Sequence, residues 1–189
     1  YESSSEALLW TIKKAYEEGI KIALDVNWRP IFWNSKSLFD AGPNNLAREK
    51  IQSLLEIASL LKLSKEEAIW FFNSHNPLEI SNSLPQKPNV VVTDGPNPVQ
   101  WLLNEFSGTL KVSNSLPVVD TTGAGDAFTA GLIFQLLQSN KPLINYHQNE
   151  MMVRFASVCG AIVCSGMGAI DPQPTVDQVE RIITDCEVV

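Results

Sequence analysis

The sequence predicts an α/β protein, a sheet layered with helices on both faces, and three observations carry that expectation. Short runs rich in Ile, Leu and Val alternate with segments in which apolar residues recur at helical spacing over ten or more positions. With 44% hydrophobic residues among 189, the chain can bury one sizeable core. No internal repeat, low-complexity tract or long linker interrupts it.

Residues 3–6 read S-x-x-E, a capping-box pattern, and Leu8, Ile12, Ala15 and Tyr16 follow at helical spacing until Gly19 stops the helix. Residues 20–26 are a short apolar run, read as a buried strand carrying Asp25 and Asn27 at its C-terminal end. Pro30 forbids a helix straight through. A helix over 45–57, a buried strand over 59–63, a turn at Ser64 and a helix over 65–73 come next. A Pro/Asn/Ser-rich link over 73–89 leads into Asn-Val-Val-Val-Thr at 89–93, the clearest strand in the chain. The loop Asp94-Gly95-Pro96-Asn97-Pro98 turns the chain sharply. Residues 99–103 and 109–112 read as two strands joined near Ser107-Gly108, and 116–119 as another ending at Asp120. Helices over 125–138, 144–164 and 176–183 close the chain.

Composition excludes several classes of partner. Fourteen Lys and Arg stand against 21 Asp and Glu, a formal charge of −7, which disfavours charge-driven binding to nucleic acid or to an anionic membrane. The apolar runs fall well short of the ~20 residues that span a bilayer. Cys159, Cys164 and Cys186 form neither an even disulfide set nor a C-x-x-C pair, which predicts a reducing compartment: cytoplasm, or an organelle such as a plastid. Cys159 and Cys164 fall on an apolar helix and read as core, while His75 and His147 lie in loop-like contexts without a role. Tyr1 is no initiator and no leader follows it, so the chain is expected to be a processed or partial product.

The segment that carries chemistry is Asp120-Thr121-Thr122-Gly123-Ala124-Gly125-Asp126-Ala127-Phe128, between a predicted strand and a predicted helix. Small residues at 123–125 let backbone N–H groups converge at a helix N-terminus, where the macrodipole favours an anion; this predicts a phosphate cradle. Asp126, in the first turn, is placed to take a proton from an attacking hydroxyl. Phosphoryl transfer needs mainly positioning and charge stabilisation, so a cradle and a base make a sufficient kit. A tight turn followed by a favourable first-turn acid accounts equally well for the bare G-x-G-D core, but not for the nine-residue string. No Lys-Ser/Thr follows the glycines and the third glycine of a dinucleotide fingerprint is absent.

With these residues the sequence resembles the ribokinase-like (PfkB) carbohydrate kinases, whose C-terminal signature reads very like D-T-T-G-A-G-D-A-F. Asp25-Val26-Asn27-Trp28-Arg29 with Trp33 is similar to the D-x-N-x-R…W segment of the family's fructokinases. Lys62-Leu63-Ser64-Lys65-Glu66-Glu67 is similar to the segment ending in N-x-x-E, with Ser64 in place of the Asn. Val91-Val92-Thr93-Asp94-Gly95 falls where the family has a T-x-G-x-x-G loop, and Arg154-Phe155-Ala156 through Gly168-Ala169 matches its nucleotide-side helix and following loop.

The resemblance implies a Rossmann-like three-layer α/β/α sandwich, with residues 1–189 the C-terminal part of a single ribokinase-like kinase domain. It implies ATP-dependent phosphorylation of a sugar hydroxyl, fructose to fructose 6-phosphate foremost. Asp126 takes the place of the base, and Gly123, Ala124 and Gly125 that of the anion hole. Glu67 matches the acid that organises Mg2+ and phosphates, although Ser64 and Glu67 also spell a capping box. Thr93, Gly95, Pro96, Asn97, Pro98, Val99 and Gln100 correspond to the loop lining the nucleotide, where Pro98 in place of the second glycine removes an N–H. Ser157 matches a position near the adenine. A monovalent cation site, commonly K+, corresponds to Asp120, Thr122, Val163, Gly166, Gly168 and Pro172. Arg29 is expected near the transferred phosphate or, alternatively, as a surface Arg at a strand end. Trp28, Trp33, Trp70 and Trp101 read as packing residues.

The family builds its sugar site and β-sheet lid largely from the half that would precede Tyr1, so the edge near Ile20 is expected to lie exposed and to favour a homodimer or aggregation. Two other readings stay open: a kinase of a nucleoside or phosphosugar, and a non-catalytic relative serving as a structural partner.

Overall fold

The computed structural model describes residues 2–38, 40–111, 116–139 and 145–187. In order, the elements are α1 (Glu2–Glu17), β1 (Ala23–Asp25), α2 (Pro30–Trp33), α3 (Asn45–Leu55), β2 (Leu60–Ser64), α4 (Lys65–Phe72), α5 (Pro77–Asn82) and β3 (Asn89–Asp94). They continue with β4 (Asn97–Leu103), β5 (Phe106–Leu110), α6 (Ala124–Gln138), α7 (Tyr146–Cys164) and α8 (Val176–Glu187). The strands form one mixed sheet in the order β1-β2-β3-β4-β5, the α/β architecture the alternating pattern predicts.

The parallel half is β1-β2-β3, with Ala23 opposite Leu60, and Leu60 and Ser64 opposite Asn89 and Thr93. Residues 60–63 of β2 are all buried, as a parallel strand covered on both faces requires. Even Lys62 is buried, and its ammonium pairs with Asp25 at 3.2 Å. The remaining strands are joined by two-residue links, which only antiparallel neighbours can use. Gly95 and Pro96 make the first turn. Asn104 and Glu105, with φ of 48° and 70°, make the second, the double left-handed geometry of a hairpin turn.

The chain divides into two compact units: residues 1–93 with 100–102, and residues 94–99 with 103–189. The first has a core of Leu55, Leu61, Leu63, Ile80, Val90, Val92 and their neighbours. The second is centred on Ala127, Phe155, Val158, Cys159, Val163, Val179 and Ile183. Here α6 and α7 cross closely because Gly131 has no side chain; a Cβ there would stand 2.8 Å from the Cys159 sulfur. Burial pushes the Cys159 thiol up to about 11, so it behaves as an apolar core group.

Several expectations are corrected. The first helix runs Glu2–Glu17, so Ser3 falls inside it rather than ahead of it, and Leu8, Leu9 and Trp10 are exposed. The strand predicted over 20–26 shrinks to three residues, because Gly19 and Asn27 take left-handed φ of 69° and 46° on either side. Within the supposed link, Asn76 caps α5 and Pro77 occupies its first position, a start signal the sequence does carry. Asn97 and Pro98 belong to β4 rather than to a loop, and Ser107-Gly108 lie inside β5 rather than at the turn. Residues 116–119 form no strand; the Val119 and Asp120 N–H groups instead donate to the Cys164 carbonyl at 2.7 and 3.2 Å, meeting an acceptor left open at the end of α7. Val112 and Ile144, the ends of a predicted strand and helix, lie outside the described residues.

Candidate active site

The second unit holds the glycine-rich segment. Gly123 sits at φ 79°, the left-handed region glycine favours, and starts α6 with no side chain to cap it. By contrast α3, α4, α5 and α7 are capped by Asn44, Ser64, Asn76 and Asn145. The Ala124 N–H turns back to Thr121 O at 3.2 Å, and Ala127 N–H donates to Gly123 O at 2.9 Å. Among the described residues no N-cap side chain bonds the first-turn amides of α6, and the helix dipole adds partial positive charge there. Asp126 is the third residue of α6 and is exposed. The Asp126 carboxylate thus stands in the first turn of a helix that starts at a glycine.

A second loop braces this turn. A Cβ on Gly123 would lie 2.6 Å from Cβ of Ala169, so only glycine allows the loops to meet. Asp120 ties them together: one oxygen accepts the Thr122 hydroxyl at 2.7 Å and the Thr122 N–H at 2.9 Å, the other the Gly168 N–H at 2.9 Å. The Thr122 hydroxyl, then the Thr122 and Gly168 amides, hold the Asp120 carboxyl below its usual range. Gly166 abuts Pro172, and its N–H donates to Val163 O at 3.3 Å. The six residues expected for a monovalent cation thus fall into contacting sets. Both Asp120 oxygens are engaged by these backbone and side-chain donors.

Ser157 is buried on α7, and its hydroxyl donates to Val153 O at 2.8 Å, so it offers no free donor to a ligand. Beside it, Leu110, Lys111 and Arg154 line a narrow cleft in which the Arg154 Nε is buried without a partner among the described residues. The sequence marks Lys111 only as a basic residue just after a strand. Val99, counted with the nucleotide loop, is a buried β4 residue, whereas Gly95, Pro96, Asn97 and Pro98 are exposed.

The first unit holds the acid and the arginine. Ser64 caps α4 and forms the capping box with Glu67. The Glu67 carboxylate is buried, accepting the Ser64 N–H at 2.7 Å and the Trp28 N–H at 2.6 Å. Arg29 is exposed, and its guanidinium donates to Trp28 O at 2.9 Å. Trp28 is buried and stacks at 5.6 Å on Trp33, which is itself exposed. Thr93 donates to Leu63 O at 3.4 Å. Gln100 is half-buried in β4. Among the described residues no group of three or more His, Cys, Asp and Glu could hold a metal ion. That donor set fits Mg2+ only as an ion carried by phosphates and water, its usual habit.

A match to the pfkB family of carbohydrate kinases runs over residues 2–176. The chain belongs to that family. This pfkB chain is 32% identical over 186 residues to "Probable fructokinase-6, chloroplastic" of Arabidopsis thaliana, covering 96% of itself and 46% of the relative. Its fold is similar to that of a Xylella fastidiosa fructokinase with bound ATP, at TM-score 0.78, 23% identity, and 97% and 57% coverage of the two chains. A Vibrio cholerae fructokinase double mutant with fructose, ADP and potassium bound superposes at TM-score 0.76, with 22% identity and 93% and 54% coverage. The pfkB chain therefore spans about half the length of the curated relatives it matches. Among its described residues no helix is long and apolar enough to cross a membrane.

Proposed function

We propose that residues 1–189 are the C-terminal part of a single kinase domain that moves the γ-phosphoryl group of ATP to a sugar hydroxyl, converting fructose to fructose 6-phosphate. The observation that carries this reading is the uncapped start of α6, with Gly123 at the cap and Asp126 in the first turn, in a chain of the pfkB family. In the transfer, the acceptor oxygen attacks the γ-phosphorus, the bond to the ADP oxygen breaks, and the hydroxyl proton passes to the Asp126 carboxylate. Of the anion-hole residues the resemblance implies, Gly123 and Gly125 are the ones proposed to meet the charge that develops on the phosphoryl oxygens, since the Ala124 N–H is taken by Thr121 O at 3.2 Å; a neutralising charge from the Arg29 guanidinium is assigned by the resemblance. Mg2+ bound with the nucleotide would neutralise the phosphates through its own water shell, while both Glu67 oxygens are taken by the Ser64 and Trp28 N–H groups. Carbonyls of the loops at 120–122 and 163–172 would hold K+.

The D-x-N-x-R…W segment and the plant relative support fructose over a nucleoside or a phosphosugar. Intact Gly123 and Asp126 weigh against a non-catalytic relative. The sugar contacts are assigned to the chain that precedes these residues in the full-length protein. A coupled ADP-release assay on that protein across fructose, glucose, ribose and adenosine tests the reading. Preference for adenosine or ribose overturns fructose as substrate, and no acceptor-dependent ADP release overturns the kinase assignment.

A further inference from the structure

The capping box of α4 needs one bond from Glu67 back to the Ser64 N–H, but Glu67 makes two. Its other oxygen accepts the N–H of Trp28 at 2.6 Å, from a segment 39 residues earlier. Among the described residues no Lys, Arg or His pairs with it, so this buried carboxylate is held by backbone N–H groups at a helix N-terminus. The segment it grips is fixed from every side. Asp25 is paired with Lys62, Asn27 turns the chain through a left-handed φ of 46°, and the Trp28 indole donates to Ala41 O at 2.8 Å while stacking on Trp33. Arg29 follows, its guanidinium bonded to the Trp28 carbonyl.

Both oxygens of Glu67 therefore fasten backbone, and one of them fastens the peptide that carries Arg29. We infer that Glu67 is a positioning residue: it holds the Trp28–Arg29 backbone against the start of α4, and its effect on phosphoryl transfer runs through Arg29 rather than through a metal. Asp25 and Ser64 end the parallel strands β1 and β2, so the clamp sits at the carboxyl edge of the sheet, where α/β proteins place ligands. The inference rests on the kinase reading for its kinetic consequence, but not for the clamp itself.

The test uses the full-length protein and the variants Glu67→Gln, Arg29→Gln and the double substitution. A Gln amide has one oxygen and can satisfy only one of the two N–H groups. Amide hydrogen exchange is expected to show Trp28 protected in the wild type and exchanging freely in Glu67→Gln, while the β2 amides stay protected. Turnover is expected to fall about ten- to a hundredfold in Glu67→Gln, with the half-saturating Mg2+ unchanged. In the Arg29→Gln background the same change is expected to cost less than about twofold, since coupled residues are not additive. Independent, multiplying losses, or a Mg2+ requirement raised about tenfold in Glu67→Gln, would overturn the inference in favour of a metal-organising acid. Glu67→Asp, which keeps the charge but shortens its reach, serves if Glu67→Gln loses β2 protection, and the same exchange and kinetic outcomes are expected of it. If the wild type shows no acceptor-dependent turnover the kinase reading fails, and the exchange arm still decides the clamp: unchanged Trp28 exchange in both variants sinks it.

Discussion

Replacing Gly123 by alanine puts two penalties on one atom. At φ 79° the backbone is left-handed, which costs an L-residue about 1–2 kcal/mol. The new Cβ also lies 2.6 Å from Cβ and 3.0 Å from Cα of Ala169, contacts that require one loop to move, and overpacking of this kind costs about 1–3 kcal/mol. Together Gly123→Ala is expected to destabilise by about 2–5 kcal/mol. Gly95→Ala is the internal reference. It too has positive φ, 53°, but nothing lies within 4 Å of its added Cβ, so only the conformational cost of about 1–2 kcal/mol applies. Urea unfolding of the two variants in the full-length protein, followed by circular dichroism, gives the difference directly. Because the displaced loop carries the amides at 124 and 125, turnover should fall about a hundredfold in Gly123→Ala. Equal destabilisation by the two substitutions would show that Gly123 does not bear on Ala169.

Asp126→Asn is expected to leave ATP binding nearly intact and to lower kcat about 10²–10⁴-fold, because the amide keeps the shape but cannot take the hydroxyl proton; near-normal kcat would make Asp126 only a first-turn helix acid. Lys62→Met removes the ammonium that neutralises Asp25 and should cost about 3–5 kcal/mol by urea unfolding, whereas Lys62→Met with Asp25→Asn should cost less; a larger loss in the double variant refutes the pairing. The Asp120 carboxyl titrates below its unfolded value, so its stabilising contribution is present above about pH 4 and is lost as acid takes the pH down through the lowered value. Asp120→Asn is therefore expected to flatten the acid limb of a urea-midpoint curve measured between about pH 6 and pH 2, and an unchanged limb counts against the Thr122 and Gly168 bonds as its cause.

What the sequence determined by itself was local. The α6 start at Gly123 to Asp126, the capping box at Ser64 and Glu67, and the strands expected at 59–63 and 89–93 and found at 60–64 and 89–94 depend on residues within a few positions of one another, and the family resemblance rests on those same short segments. Only the tertiary structure decided contacts between distant segments: the second bond of Glu67 to Trp28, the tie from Asp120 to Gly168, and the abutment of Gly123 on Ala169. It also overrode local pattern where long-range partners competed. The apolar residues at 116–119 have the pattern of a strand, yet the backbone there caps the end of α7 instead, because unpaired carbonyls at a helix terminus are strong acceptors for any N–H brought near. The hairpin turn moved from Ser107-Gly108 to Asn104-Glu105, since cross-strand register selects the turn and the side chains at the turn must then accept positive φ. Sequence periodicity specifies which face of an element is apolar; which backbone group finally meets which is settled by packing, where an unsatisfied buried N–H or C=O costs more than a local preference.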